Sequence, residues 1–266
     1  MMKIRNLFLL VMISGIALSC DNAEELNRSY TLEWEDDFEG PAGELPNPND
    51  WNYDLGGGGF GNNELQVYTN NPENVSKDGN GNLVITAIRN GNNFTSARIK
   101  TQDKFERTYG RFEARLKTPY GPGVWPAFWL LGDGVDDPAI GWPQTGEIDI
   151  MELRGQEPSK IAGSVHGPGY SAGNAVTSDF ELENARFDTE YHVFAVDWGP
   201  DFIDFFVDDN LYQRITPGDV PGEWVFDHNF FIIFNIAVGG NYVGFPSPDT
   251  PFPQKMTIDY IRFYTF

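Results

Sequence analysis

No stretch of this chain keeps its apolar residues at a helical spacing for three turns. Strand-like runs recur instead: LVITAI (83–88), GRFEARLKT (110–118), WPAFWLL (125–131), YHVFAVDW (191–198), FIDFFVD (202–208), FFIIFNIAV (230–238) and KMTIDYIRFYTF (255–266). Many short strands punctuated by turns pack as a sandwich or barrel rather than as alternating strands and helices. Gly (29) and Pro (18) are plentiful enough to supply those turns. The expected fold class is therefore all-β. In GRFEARLKT, Arg111, Glu113, Arg115 and Lys117 alternate with Phe112, Ala114 and Leu116, so one side should face water. FFIIFNIAV has no polar face, which predicts a central strand covered on both sides. Its Asn235 then needs hydrogen-bond partners. The 266 residues suffice for one sizeable core, and no internal repeat interrupts them.

One strand-like run carries acids where burial is expected. GEIDIMEL (146–153) holds Glu147, Asp149 and Glu152. Strand side chains alternate faces, so Glu147 and Asp149 point the same way. Glu152 is out of phase by one residue, and a β-bulge around Ile150–Met151 would bring it back. Four strand steps at about 3.3 Å then separate the Glu backbones by roughly 13 Å. With side chains reaching about 3–4 Å each, the carboxyls can approach within roughly 6 Å, nearer the ~5–5.5 Å of retaining glycosidases than the ~6.5–9.5 Å of inverting ones. Asp149 between them would couple the titrations and keep one group protonated near neutrality. A calcium site or a solvated acidic face is the competing reading of a bare acidic triplet.

Trp125 and Trp129 lie four residues apart in WPAFWLL, on one face, with the small Ala127 between them. Indoles on an open face suit the C–H faces of sugar rings; burial in the core is the alternative. The net charge of −21 argues against nucleic acid and other anionic polymers, and an uncharged glycan is compatible with it. At the N-terminus, Lys3 and Arg5 precede a mostly apolar run, Leu7 to Leu18, that ends in ALSC. It reads as an export signal over residues 1–19. Cys20, the single cysteine, stands where cleavage would leave it first, as in a bacterial lipoprotein, although Ala17 is not the usual Leu. Ordinary cleavage after the small residues would give a secreted protein instead. Residues 20–29 read as a polar tether and 30–266 as the folded domain. The expected location is the cell surface or periplasm, with the membrane touched only through a lipid at Cys20, and the expected state is a monomer.

GEIDIMELRG resembles the active-site strand of family 16 glycoside hydrolases in its bulged E-x-D-x-x-E form. FGNNELQVYT (60–69), TSARIKT (95–101), YGRFEARLKTP (109–119), GVWPAFWLLG (123–132), SVHGPGYS (164–171) and FNIAVGGNYVG (234–244) are similar to segments of the bacterial laminarinases, the endo-β-1,3-glucanases of that family. The resemblance implies a β-jelly-roll sandwich of two curved antiparallel sheets with a concave substrate cleft. It implies Glu147 as nucleophile, Glu152 as general acid/base and Asp149 as helper, and no catalytic cofactor. Asn63, Arg98, Trp125, Trp129, His166 and Asn235 fall where such enzymes contact β-glucan. Asp259, read as partly buried on the face shared with Ile261 and Phe263, matches the position where the family often holds a structural calcium. Two departures stand out: Tyr242 replaces a common Trp, and GGGGFG (56–61) is unusually rich in glycine.

Other signals carry less. GYSAG (169–173) matches a nucleophile elbow, but that motif needs a strand-turn-helix setting. GGGGFG lacks the Lys-Ser/Thr of a phosphate loop and reads as a flexible loop. His166, His192 and His228 have no zinc spacing. A mixed-linkage β-1,3-1,4-glucanase and a non-catalytic glucan-binding surface protein remain as alternatives. A sulfated-glycan hydrolase on the same fold is disfavoured by the acidic charge.

Overall fold

The computed structural model describes residues 28–266, so the expected signal, Cys20 and most of the tether lie outside the described residues. In chain order the strands are β1 (Thr31–Asp36), β2 (Asn52–Asp54), β3 (Gln66–Tyr68), β4 (Val75–Lys77), β5 (Leu83–Asn90), β6 (Asn93–Ser96), β7 (Arg98–Lys100), β8 (Glu106–Arg107), β9 (Gly110–Lys117), β10 (Val124–Gly132), β11 (Glu147–Leu153), β12 (Lys160–His166), β13 (Val176–Glu181), β14 (His192–Gly199), β15 (Phe202–Val207), β16 (Asn210–Ile215), β17 (Phe230–Val238) and β18 (Gln254–Thr265). The described residues contain no α-helix, only three short 3-10 turns.

Two sheets face each other as a jelly-roll sandwich. One runs β16-β15-β14-β9-β18-β5-β6-β3, with β1 and β4 added beside β18 and β5. The other runs β13-β12-β11-β10-β17-β7-β2, with β8 beside β17. Pairing is antiparallel except between β3 and β6, which run parallel. Between the sheets lies one core built from alternate residues, including Phe112, Phe128, Phe194, Val196, Trp198, Phe205, Phe234 and Phe263. Burying side chains of this size is the main favourable term holding the sandwich together, at about 1.5–3 kcal/mol each.

All nine residues of β17 are buried, as expected of a central strand. Its inward face joins the main core. Its outward face forms a second, small cluster in which Leu131, Phe231 and Ile233 pack with Trp129 and Val135. In β9, Glu113, Arg115 and Lys117 are partly exposed as expected, but Arg111 is 5 % exposed. Tyr30 and Phe206 cover its guanidinium, and Asp197 and Glu113 bind it. Arg28, at the end of the expected tether, engages Asp197 and Asp204 at 2.5 and 2.7 Å.

Candidate active site

The eight-stranded sheet places the acids. Along β10, Ala127 pairs with Glu152, Phe128 with Met151, Trp129 with Asp149 and Leu131 with Glu147. Five residue steps on β11 thus match four on β10, and Ile150 is the extra residue. On β12, His166, Ser164 and Ala162 face Glu147, Asp149 and Glu152, with the register shifting between the last two. The bulge lies where parity required it. It also sends two consecutive side chains, Ile150 and Met151, into the core together with Ile148.

The three carboxylates share one face in unequal surroundings. Glu147 adjoins Leu131, part of the small apolar cluster. Burial first and the charge of Asp149 second push its carboxyl up to about 8. Asp149 is buried, and burial raises it to about 7 while a hydrogen bond with Glu147 opposes the rise. Glu152 is raised well above the usual carboxylate range by burial, then by Asp149. Small residues, Ala127 and Ala162, flank Glu152, leaving room above its carboxyl. A buried carboxyl that holds its proton above the usual range is what a general acid needs.

Each Glu has its own indole donor. Trp125 Nε1 donates to Glu152 Oε1 at 2.9 Å, and Trp142 Nε1 to Glu147 Oε2 at 3.0 Å. Trp129 Nε1 donates to Asn235 Oδ1 at 2.8 Å, which gives the buried amide the partner it required. Trp125 and Trp129 are half-buried and line the acidic face, neither lost in the main core nor fully open. Arg98 stacks over Trp129 at 4.6 Å and pairs with Asp54 at 2.8 Å. Asn63 sits at the exposed rim, its amide nitrogen donating to Asn241 Oδ1 at 2.9 Å. His166 Nε2 lies 2.8 Å from Asp149 Oδ2 and 3.7 Å from Glu147 Oε1. All the expected site residues except Asp259 therefore gather on one side of one sheet.

Sequence reasoning missed Trp142, Asp54, Phe60 and Glu64. Trp142 comes from the loop before β11, and Phe60 from the glycine-rich segment, packed 4.9 Å from Tyr68 and 5.5 Å from the Arg98 guanidinium. Glu64 accepts from Gln66 and Asn62. A Trp five residues before the first Glu was the one readable signal among them. Tyr242, noted as a departure, packs between Trp125, its ring tilted by 44° at 5.0 Å, and the Arg154 guanidinium at 4.2 Å.

Asp259 requires a correction. The β18 register shifts between Ile258 and Tyr260, so Asp259 is a bulge residue and leaves the face of Ile261 and Phe263. Its carboxylate is partly exposed and paired with Arg115. A carboxylate already neutralised by a guanidinium does not fit the expected calcium ligand. Among the described residues, the group with metal-ligand proximity is Glu147, Asp149 and His166, whose ligand atoms lie within 4.8 Å of one another. The elbow reading of GYSAG also fails, because Ser171 leads into a 3-10 turn, Ala172–Asn174.

Comparison with known proteins agrees with this geometry. Residues 62–262 match the model of Glycosyl hydrolases family 16. A β-glucanase of Rhodothermus marinus is 39% identical, over 98% of this chain and 94% of its own. A glucan endo-1,3-β-glucosidase of Cryptopygus antarcticus is also 39% identical, over 81% of this chain and 83% of its own. The laminarinase catalytic domain of Thermotoga maritima superposes with a TM-score of 0.83 at 40% identity, covering 90% of this chain and 99% of that one. With the bulged acidic strand seated on the outer face of a two-sheet jelly roll, the chain belongs to glycoside hydrolase family 16.

Proposed function

We propose that the protein is a retaining endo-hydrolase of β-1,3-glucan. The observation that carries this reading is the Glu147/Glu152 pair, set on one face by the bulge and held by two separate indole donors. Glu152, whose carboxyl burial holds well above the usual carboxylate range, protonates the departing sugar oxygen. Glu147 attacks the anomeric carbon to form a glycosyl-enzyme, drawn to its anion by the positive charge developing on the sugar. Asp149 lies between them and takes up proton density as the pair changes charge. Water, deprotonated by Glu152, then releases the β-product. Trp125, Trp129, Asn63, Arg98, Asn235 and His166 surround the space the sugars would occupy. The relatives' names, β-glucanase, glucan endo-1,3-β-glucosidase and laminarinase, support the substrate class.

Product analysis on laminarin, lichenan, agarose and carrageenan tests the reading, with the first-formed anomer followed by NMR. Laminarin should give short oligosaccharides of β-configuration at first. Preference for lichenan would make the enzyme a mixed-linkage glucanase, and an α-anomer would remove the retaining mechanism. We also propose export and lipid attachment at Cys20, on the basic-apolar-cysteine order of residues 1–20. Cys20→Ser should then release the protein from the membrane fraction, and wild-type protein already soluble after export would refute attachment.

A further inference from the structure

The GYSAG segment is no nucleophile elbow, yet it touches the active site at one atom. The backbone N–H of Ala172 donates to His166 Nδ1 at 3.1 Å. A backbone N–H can only donate, so Nδ1 must present its lone pair. A neutral imidazole with Nδ1 as acceptor carries its hydrogen on Nε2. We propose that the 167–174 loop fixes His166 as the neutral, Nε2-protonated tautomer, and that this proton makes His166 a positioning donor for the Asp149–Glu147 pair.

The loop is braced for such a role. Tyr170 is fully buried, and its hydroxyl donates to the Glu223 carbonyl at 2.7 Å. Gly167 and Tyr170 exchange backbone hydrogen bonds at 3.0 Å. Gly222 is pressed so closely on the loop that a Cβ there would meet the Pro168 carbonyl at 1.8 Å. Ala172 is held at φ 50, a conformation that costs a non-glycine residue energy. A strained residue whose amide points at a histidine nitrogen in the active site is a candidate for function.

At the other nitrogen, a hydrogen on Nε2 faces two carboxylate oxygens, 2.8 Å away on Asp149 and 3.7 Å away on Glu147. Asp149 Oδ2 is buried and has no hydrogen-bond partner, although His166 Nε2 lies 2.8 Å away. A hydrogen on Nε2 puts its positive end between the two oxygens without a regular hydrogen bond to either, and leaves both carboxylates free to exchange their own protons. The groups facing the ring are Glu147, Asp149 and, with ring centres 6.0 Å apart, Trp142. A second hydrogen on Nδ1 would point at the Ala172 N–H. The same tautomer resists a metal at Glu147, Asp149 and His166, since a metal needs the Nε2 lone pair.

The tautomer is read directly from long-range ¹H–¹⁵N correlation of the histidine rings in the full chain. His166→Gln assigns the signal by its disappearance among the three histidines. At neutral pH the ring should show a protonated Nε2 and a bare Nδ1; an Nδ1–H tautomer or an imidazolium overturns the proposal. The kinetic arm rests on the glucanase reading. His166→Phe should lower kcat on laminarin about 10–100-fold with KM little changed, and His166→Gln, which reaches a similar point with an N–H, should recover most of it. A raised KM with unchanged kcat in His166→Phe would make His166 a sugar contact instead. The tautomer is measured on resting enzyme without sugar. Wild-type protein inert on laminarin therefore refutes the glucanase reading and leaves the tautomer standing or falling on the spectrum alone.

Discussion

The sandwich buries acids on both of its outer faces, and in opposite company. On the ten-stranded sheet, Asp197 and Asp204 are fully buried. Arg28 bridges them, Arg111 adds a contact to Asp197 at 3.1 Å, and Arg214 closes on Asp204 at 2.6 Å. Tyr30 donates to Asp197 at 2.6 Å. On the eight-stranded sheet, Glu147, Asp149 and Glu152 receive two indoles and an imidazole but no direct guanidinium. The nearby Arg98 and Lys100 are both engaged with Asp54. One face pairs its buried acids with cations, which fixes them in place. The other leaves them in mutual repulsion, which keeps their protons transferable. Charge complementarity marks the structural face, and its absence marks the face proposed to do the chemistry.

Exchanging the roles of the two faces gives the largest effects. Glu147→Ala should lower turnover of every substrate by about 10⁴-fold or more while the fold survives. With an aryl glycoside and azide it should give the α-azide, whereas Glu152→Ala should give the β-azide; reversed products would swap nucleophile and acid. On the opposite face, Asp197→Ala should cost about 3 kcal/mol, roughly 6–12 °C in melting temperature, by taking one carboxylate each from the partly buried Arg28 and Arg111. Activity per folded molecule should hold, and a stable but inactive variant would contradict the separation of roles.

Smaller effects test the repulsion itself. The folded state holds the Glu147 proton more tightly than the unfolded chain does, because its carboxyl is raised to about 8. The resulting penalty is absent at acid pH and grows as pH rises through the interval from the ordinary carboxylate value to about 8. Glu147→Gln should therefore gain about 1–2 kcal/mol in urea unfolding above about pH 8 and nothing near about pH 4. An equal gain at both pH values would assign it to packing. The smallest effect is expected of Trp125→Phe, which removes the donor that lowers Glu152. The basic limb of the pH–rate profile should rise by about half a unit to one unit, for about 1 kcal/mol of hydrogen bond. A downward move would show that the indole favours the protonated form.

Much of the site was legible because strand parity is a local rule. Glu147, Asp149, Trp125, Trp129 and Asn235 can all be placed by counting along single strands, and the bulge follows from the same count. Failures arose where distant segments intervene. Arg111 counts as solvent-facing on β9 until Tyr30 and Phe206 close over it. Asp259 counts as inward until an extra residue in β18 turns it out. Trp142 and Phe60 come from loops whose paths no periodicity records.

The bulge in β11 acts as a frameshift in a two-letter code of inward and outward. A strand read without it from Glu147 would send Glu152 into the core. With Ile150 inserted, the reading frame recovers before the second Glu, and the inserted letter is spent on the core side. Deleting Ile150 would leave Glu-Ile-Asp-Met-Glu, which already alternates in frame. The three acids would still emerge on the cleft side, while the interior would be one isoleucine short. The spacing of the acids and the core volume are therefore written in separate frames of the same seven residues, and either can be edited without rewriting the other.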